Sequence, residues 1–287
     1  MRIPVLFSLL AVSIPVCLSA DQDPTTLPQV EVTANRVSDH EPVGPYSQPK
    51  WTTKRRFPTT RVYLQRQPGE FGLEQWWRGR FYDGGVSKHR FQEEIEIGLP
   101  HRFQFDFYWN WAVDEDSAAG HDSFALELRH AFADWGKLPL NPTVYAEYKF
   151  VNEDADVYEA KLLLGDNLGQ RANYGINLIW EAETGGEKKQ EWGGSVGLSY
   201  VLVEEKLSAG FEVKYMQETV AGSRSDPEHS LVAGPSIQWR PTSNTHLDVT
   251  PLFGLTEDSP NVEAYVVFGI DFGGGTHRYH PTSVRSH

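Results

Sequence analysis

Cysteine, basic charge and long apolar runs are all scarce in this chain, and each shortage excludes something. One Cys among 287 residues excludes the disulfide framework that staples small secreted domains. No stretch after the N-terminus offers the roughly 20 consecutive apolar residues that a membrane-spanning helix needs. Lys and Arg number 26 against 39 Asp and Glu, a net charge of -13. That balance excludes nucleic acid as a partner, because phosphate binding calls for a basic face. Aromatic residues, in contrast, are plentiful: 15 Phe, 12 Tyr and 9 Trp are too many for a disordered chain.

Residues 1–20 have the form of a secretory signal: Arg2, an apolar core from Val5 to Leu18, and Leu18-Ser19-Ala20 before Asp21. The one cysteine, Cys17, falls inside it, so a chain cleaved after Ala20 has no thiol and draws its stability from packing or from a membrane. Residues 21–70 are rich in Pro, Thr and Gln with little periodicity, which reads as a flexible arm. The arm carries Lys50, Lys54, Arg55, Arg56, Arg61 and Arg66, with no acid among them.

From Phe71 to Phe272 the pattern changes to period-two alternation in segments of about 10 residues, the length of a tilted membrane strand. In 102–112, Phe103, Phe105, Phe107, Trp109 and Trp111 share one face, while Gln104, Asp106, Tyr108 and Asn110 share the other. A helix would scatter these rings; a strand puts them on one side. Twelve such segments are expected, near 71–80, 91–98, 102–112, 122–133, 142–152, 157–166, 171–183, 190–203, 206–218, 228–240, 244–254 and 261–272. Tight turns alternate with mostly longer, acidic, Gly-rich connections, the layout of an outer-membrane barrel with periplasmic turns and external loops. A soluble lipocalin-type barrel also alternates, but its apolar face would turn inward. Trp109, Trp111, Trp180, Trp192 and Trp239 near strand ends on the apolar face suit a girdle at a lipid interface instead. The fold class expected is therefore all-β: a transmembrane antiparallel up-and-down barrel of about 12 strands over 71–272, with a periplasmic arm and a C-terminal tail at 273–287.

Charge on the other face then lines a lumen. The inward set comprises Glu94, Glu96, Asp106, Glu127, Arg129, Glu147, Lys149, Glu159, Lys161, Glu212, Lys214, Asp248, Glu263 and Asp271. It supports two readings: a polar pore whose acidic bias favours cations, or a lumen filled by ion pairs that keeps a small barrel closed. The basic stretch bears on both. Lys54, Arg55, Arg56 and Arg61 are expected to fold back into the acidic lumen or its mouth as a plug.

Other candidates carry less. His121-Asp122-Ser123 resembles the His and Ser of outer-membrane phospholipases, but the strand phase turns both side chains inward, away from lipid. Asp114-Glu115-Asp116 and Glu257-Asp258 offer oxygen ligands for calcium or bridged lipopolysaccharide, yet acidic loops are more often solvated. His277, His280 and His287 have irregular spacing, and Gly273-Gly274-Gly275 is a linker. No motif implies a cofactor, a structural metal or an enzyme.

A signal, cysteine-free aromatic strands and a final Tyr265-Val-Val-Phe-Gly-Ile-Asp-Phe272 together resemble Gram-negative outer-membrane β-barrel proteins over about 200 residues. The resemblance implies outer-membrane lipid and the barrel-assembly machinery as partners, although 15 residues follow the terminal Phe. Val30, Glu31, Val32, Thr33 and Ala34, with Arg36, resemble the TonB box of TonB-dependent receptors, which implies strand addition to a TonB-like periplasmic protein. Such receptors have 22 strands and a globular plug, and 22 strands would use about 220 residues before any turn. The box therefore serves a smaller barrel or is a chance match. The functions left open are a small-solute channel or transporter coupled through the arm, a non-conducting anchoring barrel that binds protein partners, and an outer-membrane lipid hydrolase.

Overall fold

The structure is a computed structural model and describes residues 37–114 and 119–273. The signal segment, Val30 to Ala34, Glu115-Asp116 and the tail from residue 274 lie outside the described residues. Among those described, no helix is long and apolar enough to cross a membrane.

A short pair of strands, β1 (Pro42–Val43) and β2 (Gln48–Pro49), opens the described chain. Twelve antiparallel strands then close into one barrel. They are β3 (Phe71–Phe81), β4 (Ser87–Leu99), β5 (Phe103–Asp114), β6 (Gly120–Ala131), β7 (Thr143–Val151), β8 (Val157–Leu168), β9 (Ala172–Glu183), β10 (Gln190–Val203), β11 (Leu207–Thr219), β12 (Glu228–Trp239), β13 (Thr245–Gly254) and β14 (Val262–Phe272). Each strand pairs with its sequence neighbours, and β14 closes the cylinder on β3 from Val262↔Phe81 to Phe272↔Phe71. At that seam the Phe71 and Phe272 rings stack at 4.9 Å.

Alternation sets which face each residue takes. Leu73, Ile95, Ile97, Trp109, Leu126, Trp192, Phe211, Trp239 and Phe268 are exposed on the outside, whereas Glu74, Glu96, Asp106, Glu127 and Glu212 are buried. Polar residues in and apolar residues out is the reverse of a water-soluble barrel and suits a hydrocarbon surround. The ladder is interrupted between β12 and β13, where Gly234–Ser236 and Thr250–Leu252 make no pair. Pro235 and Pro251 lie in that gap, and neither has an N–H to donate.

The connections at 100–102, 132–142, 169–171, 204–206 and 240–244 fall at one end, the turn end, together with the start of β3 and the end of β14. The remaining connections form the loop end.

Composition reads residues 21–70 as a flexible arm, but the structure orders the described part of it, with 37–50 at the barrel mouth and 51–67 packed inside. From Trp51 to Gln67 every residue except Thr53, Thr59 and Arg61 is buried. Aperiodic Pro/Thr/Gln composition excludes a helix or strand of its own, not order imposed by surrounding walls. Two devices supply that order. Tyr46, Trp51, Phe57, Val62, Tyr63 and Leu64 cluster with Ala131 and Trp135. Strand side chains also bond the segment's backbone: Gln104 Oε1 accepts the amides of Gln65 and Arg66 at 2.7 and 2.9 Å, and Asn177 bonds both the N–H and the C=O of Arg61. Backbone polar groups inside a barrel need such partners.

Candidate functional site

The segment enters at the turn end. Ser38 bonds Glu204, Lys50 meets Glu205 at 2.6 Å, Asp39 pairs with Arg240, and the Tyr46 hydroxyl accepts the Arg102 amide. It reaches furthest at Thr59–Arg61, where Thr59 N–H donates to Glu212 at 2.9 Å and Thr60 Oγ1 bonds Ser195, then returns to β3. Its contacts reach strands all round the closed cylinder, which places it within the lumen.

Glycine makes room for it. A Cβ on Gly197 would lie 2.6 Å from the Phe57 ring, and one on Gly175 would lie 2.5 Å from Val62. Wall and segment are close-packed where they meet.

Charge holds the assembly together. Arg55 reaches Glu74 at 2.6 Å, Glu94 at 3.0 Å and Glu96 at 3.3 Å, and its guanidinium lies 4.4 Å from the Trp76 ring. Arg66 bonds Glu96 through two nitrogens and forms an ion pair with Asp271 through the third. Arg61 meets Glu94 at 3.2 Å and the Tyr108 hydroxyl at 3.0 Å. Burial alone would lower the pKa of Arg61 and Arg66, but Glu94 holds the first, and Glu96 with Glu74 the second, above the usual guanidinium value. At the entry, burial and Arg240 pull Arg56 down to about 10 against the opposing Asp39. Lys54 pairs with Asp271. Glu74, Glu94 and Glu96 converge closely enough to hold a metal ion, but arginine nitrogens already supply their countercharge.

Strand register reveals an arrangement that composition does not. Glu96, Asp106, Glu127, Glu147, Glu159, Glu181, Glu191, Glu218 and Glu228 are successive cross-strand partners from β4 to β12. Like charges directly opposite are destabilising, so this acid row needs cations along its length. Near the inner segment they are Arg55, Arg66 and Arg129, the last 2.6 Å from Asp106 and paired with Glu127. Further along they are Lys149, Lys161 and Lys189, beside Glu147, Glu159 and Glu191. Of the other lumen candidates, Glu212 holds Thr59, Glu263 takes Arg80 at 2.9 Å, Asp248 takes His246, and Lys214 has no ion-pair partner among the described residues.

Beyond Thr59–Arg61 the lumen opens into a vestibule of about 630 Å³. Pro58, Thr59 and Arg61 floor it, and Asn152, Asp154 and Lys189 carry it to the loop end. Its wall includes Arg78, Arg80, Lys88, Arg90, Glu181 and Glu183, none of them singled out by the sequence reading. Alternation assigns them to the inner face, but only the register shows which of them meet.

The His121/Ser123 expectation is corrected. Pairing of β5 with β6 shifts between Asn110↔Ser123 and Trp111↔His121, leaving Asp122 as an extra residue. This bulge turns His121 outward against Trp109 and Trp111, while Ser123 stays inward and buried, accepting from Asn110 at 3.1 Å. A bulge inverts the phase of everything before it, and alternation read from sequence has no sign of one. Base and nucleophile on opposite faces cannot exchange a proton.

Residues 157–272, strands β8 to β14, match a protein-family model described as "Putative MetA-pathway of phenol degradation". No curated protein matches the chain. Among solved structures, an outer membrane channel from Pseudomonas putida F1 is similar at a TM-score of 0.56 and 9% identity, over 73% of this chain and 98% of that one. The NanC porin follows at 0.49 and 10%, over 70% and 98%, and the KdgM porin in complex with oligogalacturonate at 0.46 and 9%, over 74% and 99%. At these identities the likeness is one of fold.

Proposed function

We propose that this protein is an outer-membrane channel for small solutes whose turn-end half is closed by its own N-terminal segment. The observation that carries the reading is the division of the lumen: Arg55 and Arg66 lock residues 37–70 onto Glu74, Glu94 and Glu96, while a vestibule of about 630 Å³ stands open above them. The membrane setting is supported by the outward apolar belt, and the periplasmic placement of the turn end by the convention for such barrels, short turns inside and loops outside. The channel among the similar structures agrees with this assignment. Opening then requires the plug to shift or leave. Val30 to Ala34 lie just ahead of it in the chain, so a TonB-like periplasmic protein that captured them would pull on the plug from its entry end.

Planar-bilayer recording tests this. The refolded full-length protein is expected to show small or rare conductance steps, and a variant lacking residues 21–66 large and persistent ones. Identical traces would remove the plug from the function. Silence in both, from a properly folded barrel, would favour a non-conducting anchoring barrel.

A further inference from the structure

The barrel offsets its rows of like charge with cations where acids meet acids. A second group of like charges facing across strands is basic. On the inner face of β3 and β4, Arg78 stands directly across from Arg90, and Arg80 across from Lys88. Two successive like-charged cross-strand pairs work against the sheet. Arg80 is met by Glu263 at 2.9 Å and Arg90 by Asp122 at 2.6 Å. Arg78 has no hydrogen-bond or ion-pair partner among the described residues, although the Glu263 carboxylate acts on it from a distance; Lys88, across from Asp114 in the β4–β5 register, has among the described side chains the Tyr82 ring at 5.9 Å. Lys214, also lining the vestibule, acts on the same Glu263 carboxylate and has no ion pair of its own.

We infer that Arg78, Arg80, Lys88 and Arg90 form a binding site for a small multivalent oxyanion, carboxylate or phosphate, reached from the loop end of the vestibule. Arg78 and Lys88, with no ion pair among the described residues, keep their donors available to a ligand, and guanidinium matches carboxylate and phosphate through paired N–H donors. The geometry parallels that of the plug: there, cations brought in by the chain itself settle a cluster of acids, and here an anion brought in from outside settles a cluster of bases. The inference rests on the channel reading only in that the anion arrives as a solute.

Calorimetric titration of the refolded full-length protein in detergent at low ionic strength, with citrate and separately with inorganic phosphate, tests it. Saturable binding of at least one probe is expected, weakened by about tenfold or more in R78Q/K88Q, since charge-assisted pairs are lost. E187Q, in an exposed loop outside the vestibule lining, should bind as well as the parent. The double variant removes two cations that form no ion pair among the described residues and relieves two like-charged cross-strand pairs, so its barrel is expected to melt no lower than the parent, an outcome that a purely structural role for Arg78 would reverse. Single R78Q provides a second reading if the double variant does not refold. Which probe binds distinguishes carboxylate from phosphate. No saturable binding of either anion, or binding that survives R78Q/K88Q, would overturn the site. Binding needs no ion flow: a silent barrel that binds citrate refutes the channel and keeps the site, and a conducting barrel that binds neither anion does the opposite.

Discussion

The two halves of the lumen have the same wall and opposite states. At the turn end Glu74, Glu94 and Glu96 are buried and paired, because residues 37–70 bring arginines to them. At the loop end Arg78, Lys88 and Lys214 line an open space with no acid paired to them among the described residues. Both halves begin with like charges facing each other across strands. What separates them is whether the chain supplies the counterion. Removing a charge should therefore have opposite consequences in the two halves.

The largest expected effect is at Arg55. Replacing it with Gln leaves Glu74, Glu94 and Glu96 short of a countercharge in a buried site, a change that costs about 3–5 kcal/mol when one partner of a buried pair is lost. The cost falls on the plugged state, so Arg55→Gln should raise channel conductance and expose the plug to protease. The same substitution at Arg78 should leave plug protection as it is, because the acid nearest its charge, Glu263, keeps Arg80 at 2.9 Å. Equal responses at Arg55 and Arg78 would collapse the distinction between a settled and an unsettled half.

How far this contrast could be read from sequence depends on the link involved. Faces were legible: Phe103, Phe105 and Phe107 alternate with Gln104 and Asp106, and a strand admits no other sorting. The complementarity of Lys54, Arg55, Arg56 and Arg61 to an acidic interior was legible as an idea, and these side chains do lie among lumen residues. Partnership was not. That Arg78 faces Arg90, or that acids run unbroken from Glu96 to Glu228, depends on register between strands, and any register shift of two residues preserves the same alternation. The order of residues 37–70 was hidden for a related reason. Its instructions lie in the wall, at inward positions such as Gly175 and Gly197 and in the amide of Gln104, not in the segment's own composition.

Those glycines provide the next test. Gly197→Val places a branched side chain where the Phe57 ring already lies within 2.6 Å of the Cβ position. Overpacking of this kind costs about 1–3 kcal/mol, and the plug should yield before the wall, because Gly197 is paired on both sides, with Glu212 on β11 and Gly175 on β9. Conductance should rise with little change in the unfolding temperature of the barrel. Gly185→Ala, at the loop end, meets only Ala155 at 3.9 Å and should change neither. A Gly197→Val protein that gated like the parent would show that Phe57 is not held where the packing places it.

The smallest expected effect is the one set by acid at the entry. Asp39 sits between Arg56 and Arg240 and accepts the Glu205 amide at 2.8 Å. Burial alone would raise its pKa, but Arg240 and Arg56 together hold it below the ordinary 3.8. A carboxyl depressed on folding stabilises the folded arrangement fully above its unfolded value and ceases to do so as the pH falls through the lower, folded one. The entry clamp should therefore be intact at neutral pH and loosen only as the pH drops below about 3.8. Hydrogen exchange of the amides at Asp39 and Glu205, followed from pH 6 to pH 3 and corrected for intrinsic rates, should show protection falling at the acid end. In Asp39→Asn the fall should vanish, with protection already reduced at pH 6. Because Arg55 and Arg66 hold the deeper part of the plug on separate carboxylates, the Arg61 amide bonded to Asn177 should keep its protection where the entry has lost it. Loss of both together would mean that the plug is held as one unit from its entry, and that the deep arginines add little to what Asp39 secures.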